Sequence, residues 1–173
     1  MSNWMKLLSE GPPLKLGKTD QIVYLMEQDP ETFDKVFATL FQENLTIKIR
    51  AANAVEKVTR GRPEWLLPHQ QTLLANLSEL AQPFSVKMAT AALLGHATWT
   101  DEDVLEVLAI LRLWLLDTNT FVKVNCLQAL TQIAQRHPWL TSEVIGLIEN
   151  EMAKGKASIK ARGRKLLKQL NAM

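Results

Sequence analysis

The chain has 173 residues, 47% apolar and 22% charged, which allows one domain with a buried core and excludes a low-complexity or disordered polypeptide. Its single cysteine, Cys126, excludes an internal disulfide framework and fits a reducing cytosol, so a cytoplasmic location is expected. The net charge is only +2 but is unevenly placed: from Lys154 onward there are seven Lys/Arg and no Asp/Glu, so the remainder carries 13 basic against 18 acidic residues.

In chain order, Asn3 to Ser9 suffices for a helical turn or two before Gly11-Pro12-Pro13 breaks it. Thr19 or Asp20 then caps a short helix through Ile22, Val23, Leu25 and Met26, so this segment reads as a cap on the open end of the helices after it. Pro30 to Gln42 reads as a helix capped by Asp29, with Phe33, Val36, Phe37, Leu40 and Phe41 on one face. Further helices are expected at Pro68 to Ala81, at Asp101 to Leu116 behind Thr100 with Asp103 as capping-box partner, and at Ser142 to Ala153 behind Thr141. The acidic triplet Asp101-Glu102-Asp103 suits the positive end of its helix. Trp65, Trp99 and Trp139 each precede one of these helices and are expected to fill space between repeated units. The run VLEVLAILRLWLL from Val104 is apolar nearly all round and should be the most buried helix; Glu106 and Arg112 make it too charged to span a bilayer. The N-terminus lacks the continuous apolar stretch of a signal peptide.

Between these helices a second pattern recurs. In NLTIKIRAANAV, residues 44–55, Ile47 is followed by Lys48, and the pair matches Val86-Lys87, Val122-Lys123 and Ile159-Lys160 at separations of 39, 36 and 37 residues. Four residues after each apolar position stand Ala51, Thr90, Cys126 and Gly163, all small. Seven and eight residues after it stand Ala54-Val55, Leu93-Leu94, Ala129-Leu130 and Leu166-Leu167. Such spacing buries one helical stripe, the small residue admits a close neighbour, and the lysine sits at the stripe's edge.

Four helix pairs with this signature resemble the HEAT-repeat family, over about residues 30–171. Asp117 and Asn119 in LLDTNTFVKVNCLQAL match the family pattern most fully; Gln42 and Asn44 match it more weakly. The resemblance implies an all-α, right-handed alpha-alpha superhelix: a cap over 1–29, then repeats over 30–63, 64–99, 100–137 and 138–173. Armadillo repeats are similar but usually insert a third short helix, for which these links are too short. The family's second helices line a concave, partner-binding surface. By position, the outward row is Arg50, Asn53 and Lys57; Ala89, Ala92 and His96; Asn125, Gln128 and Gln132; Arg162, Lys165 and Gln169. Amides and cations in such a row suit peptide backbone, carboxylate or phosphate.

Catalytic signals are sparse. No phosphate-binding glycine loop, nucleophile elbow or metal knuckle occurs, so no cofactor or metal is expected. Cys126 occupies a core position of its repeat, which argues against a His96–Cys126 nucleophile pair; His69 and His137 flank helix boundaries and read as surface residues. The segment KGKASIKARGRKLLK is the strongest candidate feature: Lys156, Lys160, Arg162, Arg164, Lys165 and Lys168 could attract nucleic acid, an anionic membrane face or an acidic protein, or cover a solvated end. The leading expectation is a non-catalytic scaffold binding a protein partner. The alternatives are nucleic-acid binding, as in the HEAT-like alkylpurine DNA glycosylases, and an enzyme accessory subunit.

Overall fold

The computed structural model describes residues 1–173. Ten α-helices and four 3-10 turns follow one another without a strand. Two helices come first, α1 (Asn3–Ser9) and α2 (Thr19–Gln28). The first pair is α3 (Pro30–Ala38), extended by a 3-10 turn, and α4 (Leu45–Gly61). The second is α5 (Gln70–Ala75), set between 3-10 turns Pro63–His69 and Leu77–Leu80, and α6 (Phe84–His96). The third is α7 (Asp103–Trp114) and α8 (Thr120–Arg136); the fourth is α9 (Thr141–Lys154) and α10 (Ala157–Asn171).

Local chemistry sets several boundaries. The Asp29 carboxylate accepts from the N–H groups of Glu31 and Thr32 at 3.1 and 3.2 Å, and Pro30 opens α3 without wasting a donor. Asn44 Oδ1 accepts from Ile47 N, and Asn119 Oδ1 from Phe121 N and Val122 N. The asparagines of the repeat signature are thus N-caps of second helices, each satisfying donors that would otherwise be orphaned. Thr100 Oγ1 accepts from Asp103 N, but the Asp103 carboxylate accepts a hydrogen bond from Gln71 Nε2 rather than closing a capping box. Thr141 is the first residue of α9 and makes no side-chain cap bond.

The second helices α4, α6, α8 and α10 pack side by side, with α2 in front of α4, while α3, α7 and α9 lean on their own partners and the 3-10 turn Leu77–Leu80 leans on α6. This is an all-helical solenoid whose stripes form one continuous core from Leu7 to Leu170. Small residues bring α6 and α8 together. A Cβ placed on Gly95 would lie 2.7 Å from Ala129 Cα and closer still to Gln132 Oε1. Gly95→Ala is therefore expected to destabilise by about 1–3 kcal/mol through overpacking, read as a lower urea midpoint at unchanged slope.

Three sequence expectations fail here. Helix α7 is not the most buried: Leu105 and Leu113 are 55% and 58% exposed, and Leu116 just beyond it 73%, because one side of the first-helix layer faces solvent whatever its composition. The expected helix from Pro68 to Ala81 is cut by 3-10 geometry into a single α turn and a half. Trp139 is 56% exposed and stands edge-on to His137, whereas Trp99 is buried with Nε1 donating to Leu94 O and Trp65 packs edge-on against Phe33.

Candidate partner-binding surface

The repeated lysines reach forward, each with an acceptor in the next pair, and Lys123 has a second in its own. Lys48 Nζ donates to Glu79 O at 3.1 Å, Lys87 to Asp117 Oδ2 at 2.7 Å, and Lys123 to both Leu115 O and Glu151 Oε2, the latter at 3.0 Å. The hydrogen bond from Lys87 is the main cause holding the Asp117 carboxyl below the usual range. Glu151 is 3% exposed and also pairs with Lys154. Asp117 stood out in the repeat pattern but Glu151 did not, although an acid near thirty residues after Lys87 and Lys123 was a common signal. Lys160, the fourth copy, is exposed and has no such acceptor.

The candidate row points the other way, back toward the preceding helix, and this changes its meaning. Arg50 is fully buried. Its Nε donates to Lys15 O at 2.8 Å, Nη1 to Leu8 O and Glu10 O at 2.7 and 2.6 Å, and Nη2 to Pro12 O at 2.9 Å. The guanidinium is the hub around which residues 8–15 wrap, so Arg50 is a structural residue and not a partner-binding one. Gly17, in a left-handed conformation at φ +58°, is required beside it, since a Cβ there would lie 2.9 Å from Arg50 Cζ. Asn53 is half-buried, and Lys57 Nζ pairs with Asp20 at 2.8 Å. The first quarter of the row therefore faces the chain's own α1–α2 segment.

Farther along, His96 Nε2 meets Glu56 Oε1 at 3.2 Å, and Arg60 bridges the same carboxylate. Burial pushes the Glu56 carboxyl up, but the His96 and Arg60 hydrogen bonds outweigh it and leave the group below its ordinary range. His96 is thus committed to a seam between α4 and α6. Asn125, Gln128 and Gln132 are half-buried; Asn125 Nδ2 donates to Phe121 O, and Gln128 Oε1 accepts from Arg162 Nη1 at 3.4 Å. On α10 the row comes free: Arg162, Lys165 and Gln169 are exposed. The structure therefore brings Gln128 together with Arg162 and ties Arg50, Lys57 and His96 to partners within the chain. Lys156, Lys160, Arg162, Arg164, Lys165 and Lys168 are all exposed, and none has a carboxylate partner.

The titratable side chains form contacts between repeats rather than a reaction centre. His69 pairs with Asp34 at 2.6 Å and stacks on Phe37, and His137, 8% exposed, meets Asp101 at 2.9 Å. Neither is the free surface residue expected from its place in the sequence. No group of three His, Cys, Asp or Glu side chains is arranged to hold a metal, and no helix is long and apolar enough to cross a membrane. Burial pushes the Cys126 thiol up to about 12. A group so raised stays protonated throughout neutral pH, so a thiol-specific disulfide reagent at pH 8 is expected to leave native Cys126 unmodified and to react fully once urea unfolds the chain.

The repeated lysine-and-stripe signature, the asparagine caps and the side-by-side second helices agree with a match of residues 11–170 to the HEAT repeat domain model. The chain belongs to the HEAT-repeat family. No curated protein and no solved structure matches it. HEAT repeats generally mediate protein–protein contacts. In this HEAT-repeat chain, the exposed members of the outward row are Arg162, Lys165 and Gln169 on α10.

Proposed function

We propose that this HEAT-repeat chain is a non-catalytic interaction module that holds a protein partner on the surface shared by α8 and α10. The supporting observation is the contact of Gln128 with Arg162, which joins half-buried amides on α8 to free cations on α10. Amide groups can bond an extended backbone, and Arg162 and Lys165 can take a carboxylate from the same segment. At the other end of the layer the cap covers Arg50 and ties Lys57 to Asp20, so two of the row's cations are already engaged there.

The test is recovery of a partner from the native source by wild type and by a Gln128→Ala/Arg162→Ala/Lys165→Glu variant, with purified components used to measure affinity. The reading requires one partner whose binding falls roughly tenfold or more in the variant. Unchanged affinity would overturn it. Nucleic acid on α10 is the competing reading; duplex DNA that displaces the partner, with affinity falling steeply in salt, would favour it.

A further inference from the structure

The side of α10 turned away from α8 is a second surface, distinct from Gln128, Arg162 and Lys165. On the other second helices this side receives the next pair. It carries Lys48, Ala52 and Val55 on α4; Lys87, Ala91 and Leu94 on α6; and Lys123, Leu127 and Leu130 on α8. The small and apolar members are all buried. The same register on α10 reads Lys160, Arg164 and Leu167, with both cations exposed and the leucine half-buried. These three border a shallow groove with Glu149 and Met152 of α9, and Arg164, Leu167, Lys168 and Asn171 line its continuation.

Lys160, Arg164 and Lys168 recur at four-residue steps along one side of α10, and Lys156 stands at its N-cap, so the four cations extend over about 18 Å. Like charges at this spacing repel one another, and those near the start of α10 also oppose its macrodipole. The first turn contains no acid to relieve them. An end-covering helix needs only a polar outer face, and mixed signs would supply one without this repulsion. A column of one sign beside Leu167 and Met152 is instead the complement of a helix bearing carboxylates at the same step and an apolar neighbour.

We propose that this outward face of α10 docks an acidic amphipathic helix of a partner protein. Its carboxylates sit on Lys156, Lys160, Arg164 and Lys168, and its apolar stripe sits on Leu167 and Met152. The contact repeats two that the chain already makes within itself, Lys87 with Asp117 and Lys123 with Glu151. Nucleic acid fits less well. Helix α10 has no aromatic side chain on which a base could stack, and the rest of the molecule, with 13 basic against 18 acidic residues, repels an extended polyanion.

A fluorescent synthetic helix of about 18 residues, with Glu at every fourth position and Leu on the adjoining stripe, tests this by polarisation against the full chain. A control peptide has the same composition with its glutamates gathered at one end. The periodic peptide is expected to bind saturably. Lys160→Glu/Arg164→Glu should weaken it roughly tenfold or more, and Leu167→Ser severalfold. Arg162→Glu/Lys165→Glu, on the other surface, should change it less than about twofold. Circular dichroism of each variant confirms an intact fold.

Absence of saturable binding by the wild type would overturn the proposal. So would equal binding of the control peptide, or an equal loss in Arg162→Glu/Lys165→Glu. A duplex DNA oligonucleotide or an anionic phosphatidylserine vesicle that binds α10 more tightly than the periodic peptide would reassign the face. Loss of binding only in Gln128→Ala/Arg162→Ala/Lys165→Glu would leave the other surface standing and remove this one.

Discussion

Replacing Arg50 by methionine is expected to lower folding stability by about 3–5 kcal/mol, the range for uncoupling a buried, hydrogen-bonded charge from its partners. Methionine keeps most of the stem and removes every donor. Four carbonyls, of Leu8, Glu10, Pro12 and Lys15, then lose their guanidinium partner together. Against a typical domain stability of roughly 5–15 kcal/mol, this is a large share of the whole. Arg50→Lys should recover little, because one ammonium cannot reproduce the planar fork that serves four acceptors at once. Urea unfolding measures the total. Hydrogen exchange locates it, with the amides of α1 and α2 losing protection before those of α8. A midpoint for Arg50→Lys equal to wild type, or protection lost evenly along the chain, would show that Arg50 does not organise the cap.

The second large effect is expected at the buried rung between the third and fourth pairs. Lys123→Met leaves Glu151, 3% exposed, with only Lys154 beside it and should destabilise by about 2–4 kcal/mol. The double variant Lys123→Met/Glu151→Met removes both charges and fills the space with apolar volume. It should regain most of the loss, since a buried pair stabilises little relative to a well-packed apolar one. The cycle is decisive because the two outcomes differ in sign. Additive losses in the double variant would mean that the residues act separately and that the forward-reaching lysine is not a rung.

Much of the fold was legible because repetition and helix capping are local. The step from Ile47-Lys48 to Ile159-Lys160 sets the number of pairs, and Asp29, Asn44 and Asn119 mark helix starts through bonds spanning two or three residues. The exposure of α7 was not legible, because an apolar helix has no internal sign of how many of its sides will find partners. Glu151 looked like an ordinary helical acid, and only its packing beneath Lys123 makes it a buried counter-ion.

The candidate surface shows the same division more sharply. Arg50 and Arg162 occupy the same position of the repeat, three residues after Ile47 and Ile159. One is fully buried under α1 and α2, and the other stands in solvent beside Gln128. Likewise Lys123 reaches Glu151 while Lys160 reaches no carboxylate. The sequence by itself determined a HEAT-type stack, its helix starts and the register of its lysines, since these depend on spacing along one chain. Only the tertiary structure decided which members of each row remain free. That depends on whether another element lies over them, and desolvation by that neighbour turns the same side chain from a surface cation into an internal tie.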